Sequence, residues 1–316
     1  MLDTVKQLDI RQHDKHVVVL PLTHAAWFTA AAHLHVGATT YIQRSWDPEA
    51  LLKLIECEKI TKLHMIPTLL GDLLAVAEER ECDVASVELI SLAGSLIPQD
   101  MMRRATALFG PIIGNIYGLT EAAGPVTYMM PADFRDSRAG SVGHPGRNTQ
   151  IRIVVDETVQ SHAQQLGEIQ LRGSQITPGY LGRPMETEAA FDGDWFCTGD
   201  IGFLDDDGFL FVVDRKKDMI KTGGLNVYPK EVEDVLYSHP KVLEASVFGT
   251  PDARWIEKVC AAVTLRSPDC TAEELIEFCR ERLPAYKAPK AVMLVDALPR
   301  TAFGKFDRRA LAKAYP

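Results

Sequence analysis

The chain has 316 residues, a formal net charge of -9, 46% apolar and 24% charged side chains. That length allows two domains with real cores, and the acidic balance argues against nucleic acid or an anionic membrane surface as the main partner. The six cysteines (Cys57, Cys82, Cys197, Cys260, Cys270, Cys279) stand singly, with no metal-ligand spacing and no disulfide framework, so a reducing cytoplasm is expected.

The first residues, MLDTVKQLDIRQHDKH, contain no apolar signal core. The apolar stretch 17–42 is interrupted by Pro21, Gly37 and His24, His33 and His35, and reads as a strand leading into a buried helix rather than a membrane span. His33 and His35 read as packed or surface histidines. Short apolar runs at 17–20, 40–43, 62–66, 89–93 and 112–117 predict strands, with amphipathic helices at 25–35, 48–57, 68–80 and 98–109. Asp47-Pro48-Glu49 supplies a helix start, an N-cap side chain followed by proline in the first turn. Such alternation predicts a mostly parallel sheet with helices on both faces.

From about Pro131 the texture turns to strands and turns, at 150–155, 167–172 and a hairpin over 202–214 that folds at Asp206-Asp207-Gly208. The aspartates Asp205, Asp206 and Asp207 read as a solvated turn, because no EF-hand ligand spacing follows. A smaller α+β unit begins after Asp214. It carries helices at 229–238 and 271–283, the second opened by a Thr271/Glu274 capping box, and strands at 243–248 and 259–265.

The chemistry concentrates in residues 195–231. A Thr198-Gly199-Asp200 turn, the basic run Arg215-Lys216-Lys217 and a Gly223-Gly224 bend lie in one stretch. A carboxylate accepts hydrogen bonds from sugar hydroxyls, Arg and Lys face phosphate or ribose oxygens, and paired glycines let backbone approach a ligand closely. Upstream, Asn115-Ile116-Tyr117-Gly118-Leu119-Thr120-Glu121 follows an expected strand, placing it at the carboxyl end of a parallel sheet, where open α/β folds bind ligands. Gly94-Ser95 ends the preceding strand. Near the end stands Leu298-Pro299-Arg300-Thr301-Ala302-Phe303-Gly304-Lys305.

These motifs, in this order, resemble the acyl-adenylate-forming superfamily, which includes acyl-CoA synthetases, luciferases and peptide-synthetase adenylation domains. The Gly-Gly-Leu-Asn-Val-Tyr-Pro phrasing is most similar to the acid–CoA ligases. The resemblance implies the later part of a large domain, a parallel sheet with helices plus a β-barrel-like part, followed by a small α+β lid. Residues 1–214 would form the former (about 1–130 α/β, about 131–214 β-rich) and 215–316 the mobile C-terminal lid.

It further implies that Gly94 and Ser95 form a shelf for adenine, with Asn115, Tyr117 and Gly118 in the nucleotide motif, Tyr117 stacking on the ring. Thr120 would offer its hydroxyl to phosphate and Glu121 would hold Mg2+. Asp200 and Arg215 would bind ribose, although Arg215 also reads as a surface ion pair. Lys217 would be the hinge of the lid, with Lys216 a solvated neighbour. Gly224 and Lys221 would border the CoA tunnel in thioester formation, where a plain structural turn is the other reading. Lys305 would face the substrate carboxylate and the α-phosphate. His24 falls at the acyl pocket, where Thr23 replaces the family's usual aromatic residue, and Ile256-Glu257 stands where the family usually has Gly-Glu.

The superfamily's Ser/Thr/Gly-rich phosphate loop would lie upstream of Pro21, and the chain carries none. Three functions therefore stay open. One is conversion of ready-made acyl-adenylate and CoA to acyl-CoA and AMP, with adenylation weak or supplied in trans. The second is a fragment of an ordinary ATP-dependent synthetase, and the third an AMP-binding scaffold without catalysis. The expected small molecules are a carboxylic acid or its adenylate, AMP or ATP, CoA and Mg2+. Apolar surface left uncovered by the absent part of the fold is expected to drive self-association or docking on a companion adenylating enzyme.

Overall fold

A computed structural model describes the chain apart from residues 24, 95, 96, 98, 156, 157, 160–162, 301–305 and 316. Contacts divide it into two compact units, Met1–Thr198 with Gly202–Val212, and Gly199–Ile201 with Val213–Pro316.

The first unit opens with α1 (Leu2–Gln7) and then alternates β1 (Lys15–Val18), α2 (Ala25–His35), β2 (Thr39–Ile42), α3 (Pro48–Glu58), β3 (Lys62–Met65), α4 (Pro67–Ala77), β4 (Leu89–Ala93), α5 (Gln99–Phe109) and β5 (Ile113–Leu119). These strands pair in parallel in the order β2-β1-β3-β4-β5. Two further strands, β6 (Gly124–Met129) and β7 (His144–Pro145), extend the sheet antiparallel from β5. Asp47 caps α3 as its sequence predicts, its carboxylate accepting the Ala50 amide at 3.0 Å, and Lys59 ends the helix at φ +55°. The core between sheet and helices is built from Leu51, Leu52, Ile55, Leu63, Met65, Leu70, Leu73, Leu74, Ile90 and Leu92, all at most 1% exposed. Burying such side chains contributes about 1.5–3 kcal/mol apiece.

A second, curled sheet follows from β8 (Thr149–Val155), β9 (Thr158–Val159), β10 (Gly167–Gly173), the short helix α6 (Pro184–Ala189), β11 (Phe191–Asp192), β12 (Trp195–Leu204) and β13 (Leu210–Arg215). Its order is β11-β12-β10-β8-β9, with β13 paired to β12. The turn between β12 and β13 is organised by Asp205, whose Oδ1 accepts the amides of Asp207 (3.0 Å) and Phe209 (2.8 Å). Asp206 and Asp207 are exposed, so this triplet is a solvated turn.

The second unit contains β14 (Ile220–Thr222), β15 (Leu225–Val227), α7 (Pro229–Tyr237), β16 (Val242–Asp252), β17 (Ile256–Leu265), α8 (Ala272–Arg280), β18 (Ala291–Leu294) and α9 (Arg308–Ala314). Strand order is β15-β14-β17-β16, with β18 alongside β17. Strands β16 and β17 run longer than the sequence predicts. Pro251 sits inside β16, which the apolar pattern left out, and is tolerated because that strand borders only β17. Thr271 caps α8 by accepting the Glu274 amide at 3.1 Å, but the expected reciprocal bond is not made. Glu274 turns instead to Lys241 Nζ (3.4 Å) and His239 Nε2 (3.5 Å).

Candidate active site

In the first unit the candidate residues gather at the carboxyl ends of β4 and β5. Gly94 closes β4 at φ +91°, an exposed position that glycine takes without strain. On β5, Asn115 is buried and its side-chain amide donates to the Ser141 carbonyl at 3.2 Å, so it anchors the loop before β7. Tyr117 is half-buried against a cluster that includes Ala122, Val126 and Leu171. Gly118 lies where β5 and β6 press together: a Cβ there would fall 2.3 Å from the Gly124 carbonyl oxygen. That approach bends the strand end, marked by a register shift between Tyr117 and Gly118, and leads into the 3-10 turn Thr120–Ala122.

Thr120 is exposed at the start of this turn. Glu121, half-buried, accepts a hydrogen bond from the Tyr180 hydroxyl at 3.0 Å, and its carbonyl accepts the Thr177 amide. Partial burial and then the Glu121 carboxylate push the Tyr180 phenol above its ordinary pKa, keeping it a donor. The other Glu121 oxygen has no hydrogen-bond donor among the described residues. One hard oxygen on a fixed carboxylate fits Mg2+, which keeps waters and takes only one or two protein carboxylates. Tyr180 was not singled out from the sequence; its partner lies 59 positions away, and nothing local marks it.

In the second unit, Asp200 and Arg215 meet. The Asp200 side chain is 6% exposed and its Oδ1 lies 3.0 Å from Arg215 Nε, while the Arg215 side chain is 51% exposed. The ion-pair reading of Arg215 thus finds its partner in the other candidate ribose ligand. Next to it, Asp214 is buried and accepts two backbone amides, from Arg215 (2.7 Å) and Lys230 (2.9 Å). The second bond caps α7, whose own N-cap residue, Tyr228, provides no side-chain bond. Burial raises the Asp214 pKa against the opposing pull of Arg308. Lys216 and Lys217 are exposed on the 3-10 turn Lys216–Asp218.

Gly223 and Gly224 form the two-residue loop of the β14–β15 hairpin, at φ +58° and +83°. Positive φ at both positions is what a type I′ turn demands, so a structural turn suffices to explain the pair. Nothing lies within 4 Å of a Cβ built on Gly224, and the bend therefore presents bare backbone. The hairpin is fastened by the Gly223 amide to the Trp255 carbonyl (2.7 Å) and the exposed Lys221's amide to Glu257 Oε2 (2.7 Å). Ile256, between those anchors, has φ +71°, a left-handed value that is strained for a β-branched residue. His24, Ser95 and Lys305 lie outside the described residues.

His239, Cys270 and Glu274 place ligating atoms within 4.8 Å of one another. Lys241 fills the cation's role there: its ammonium lies 3.4 Å from Glu274 and its amide donates to His239 Nδ1 at 3.3 Å. Among the described residues no helix is long and apolar enough to cross a membrane.

A parallel sheet with candidate ligands at its carboxyl edge, an antiparallel sheet and a separate α+β unit opened by an acid–guanidinium pair define a nucleotide-handling class of two-part α/β protein. Comparisons specify it. The AMP-binding enzyme family matches residues 1–181, and the AMP-binding enzyme C-terminal domain matches residues 231–305. The chain belongs to this family of acyl-adenylate-forming enzymes. It is 35% identical over 307 residues to a medium/long-chain-fatty-acid–CoA ligase of Mycobacterium tuberculosis, covering 94% of this chain and 53% of that protein. It is 36% identical over 305 residues to a 2-succinylbenzoate–CoA ligase of Bacillus licheniformis, covering 96% and 62%. The structure of O-succinylbenzoate coenzyme A synthetase from Bacillus subtilis, in complex with AMP, superposes with a TM-score of 0.89 at 33% identity, covering 98% of this chain and 63% of that one. The chain thus spans between 53% and 63% of the length of these relatives.

Proposed function

We propose that this chain is an acid–CoA ligase relative that turns a ready-made acyl-adenylate and CoA into acyl-CoA and AMP. The Asp200–Arg215 pair carries the reading: a nearly buried carboxylate lies 3.0 Å from the guanidinium of a half-exposed arginine, and an acid–guanidinium pair is chemistry suited to ribose hydroxyls. Gly94 with Ser95 and Tyr117 serve adenine, with Asn115 and Gly118 shaping the strand end. Thr120 serves the phosphate, Glu121 holds Mg2+ when the ion is bound, and that ion offsets phosphate charge. Lys305 supplies an ammonium beside the carboxylate and α-phosphate, and Gly224 with Lys221 borders CoA. His24 lines the acyl pocket.

In the reaction, the CoA sulfur attacks the acyl carbonyl carbon, the bond to the phosphate oxygen breaks, AMP leaves as an anion and the thiol proton passes to solvent. Names of the relatives, CoA ligases for fatty and 2-succinylbenzoic acids, support the acid–thiol ligase class. In this reading adenylation by the chain itself is weak, and the activated acid is supplied in trans. The domain reading follows, residues 1–214 holding the adenylate and 215–316 acting as a lid about Lys217. The six free cysteines suit a reducing cytoplasm.

Two assays on the purified chain test this: acid, ATP, Mg2+ and CoA in one, synthetic acyl-AMP and CoA in the other. Product in the second alone is expected. Product at equal rates in both would overturn the half-reaction, and product in neither would favour an AMP-binding scaffold. Self-association or docking on an adenylating partner is supported by exposed Trp27 (47%), Leu34 (63%) and Ile42 (63%) on α2 and the edge strand β2. Light scattering should show more than a monomer alone or with that partner; a clean monomer in both would contradict it.

A further inference from the structure

Among the described residues of the second unit, one heavily bonded side chain is not used by the proposed chemistry. Arg308, the first residue of α9, lies three positions after Lys305 in the sequence. Its Nη2 grips Glu233 through both carboxylate oxygens, at 2.8 and 3.0 Å. Its Nη1 lies 3.2 Å from Asp218 Oδ2 and 3.9 Å from Asp214 Oδ1. Glu233, 8% exposed at its side chain, is itself fixed by the Val247 amide at 2.8 Å, so the anchor belongs to the core of the unit. A guanidinium suits this task because its planar fork holds two carboxylate directions at once, which an ammonium does not.

The two aspartates bracket the segment in question. Asp214 precedes Arg215-Lys216-Lys217 and Asp218 follows it, so one side chain ties both ends of a three-residue stretch to the core. We propose that Arg308 is a positioning residue that fastens residues 214–218, Arg215 and Lys217 among them, together with α9 to the core of the second unit. This rests on the reading of Lys217 as hinge. A hinge residue serves a switch between two poses only if the segment that carries it is ordered, because a loose segment spreads the lid over unproductive arrangements.

The test uses the full chain and three variants, Arg308→Met, Arg308→Lys and Glu233→Gln. Glu233→Gln keeps the bond to the Val247 amide while weakening the anchor, and decides the matter if Arg308→Met does not fold. Limited trypsin digestion reads the clamp directly. Nicking after Arg215, Lys216 or Lys217 should run about tenfold faster in Arg308→Met, with the other two intermediate. With acyl-AMP and CoA, the apparent KM for CoA should rise about tenfold while kcat stays within about twofold, the signature of a smaller competent fraction. Unchanged nicking in folded variants, or a fall in kcat at constant KM, would overturn the clamp. Accelerated nicking in variants of a chain that makes no thioester even as wild type would uphold the clamp and sink the ligase reading.

Discussion

The two units bury polar groups in opposite ways. In the second, Arg308, Glu233, Asp214 and Asp218 answer one another in a charge network, and each buried carboxylate also has a backbone amide or the guanidinium to accept from. In the first, three buried histidines, His16 on β1, His33 on α2 and His64 on β3, line a cavity of about 10 Å³ with Lys62, Ser91 and Thr29. His16 and His33 stack with ring centroids 4.2 Å apart. His33 Nδ1 donates to the Thr29 carbonyl and His64 Nδ1 to Ser91 Oγ, but both Nε2 atoms and both ring nitrogens of His16 have no partner among the described residues. The lesson is that a buried charge network is most vulnerable to truncation of one partner, whereas buried neutral imidazoles are vulnerable to acid.

The largest expected effect breaks the first half of that contrast. Arg308→Met leaves the buried Glu233 without its guanidinium counter-charge and should cost the second unit about 3–5 kcal/mol, read by chemical denaturation. Acid breaks the other half. Burial lowers the His64 pKa to about 4, and burial with His33 and His64 nearby lowers that of His16. Burial also lowers the His33 pKa, opposed by its bond to the Thr29 carbonyl and by Asp14, with Lys62 adding repulsion. The folded pKa lies below the unfolded value of about 6.5, so the unfolded chain takes up protons first. The stabilising contribution of His64 is whole above that pH and is lost as pH falls through about 4, a change of about 3 kcal/mol. Denaturation of the first unit monitored from pH 7 to 4 should show this loss, and His64→Gln should flatten it.

Smaller effects sharpen the site. Gly118→Ala forces a Cβ against the Gly124 carbonyl and should destabilise the first unit by about 1–3 kcal/mol, with loss of AMP affinity by calorimetry. Ile256→Gly relieves a left-handed β-branched residue and should stabilise the second unit by about 1 kcal/mol in thermal melts.

Much of this was legible in the sequence where cause and effect lie close together. The alternation of apolar runs gave the parallel sheet, Asp47 the start of α3, and the Asp-Gly turn the β12–β13 hairpin. The Asp200–Arg215 contact and the glycine turn fall within one short stretch that the resemblance singled out. What stayed hidden depends on long-range pairing. Asp214 caps a helix 16 positions later, Tyr180 holds Glu121 across 59, and Arg308 reaches Asp218 across 90. No local pattern encodes those distances. The Thr271/Glu274 box failed halfway for the same reason, since Lys241 and His239 compete for the carboxylate.

The central claim, that this chain grips the AMP half of an acyl-adenylate rather than ATP, is tested most directly by calorimetric titration with a non-hydrolysable acyl-adenylate analogue and with ATP and Mg2+. The analogue should bind at least about tenfold more tightly, a difference near 1.4 kcal/mol, and lose that advantage in Asp200→Ala. Equal or tighter binding of ATP would contradict the account.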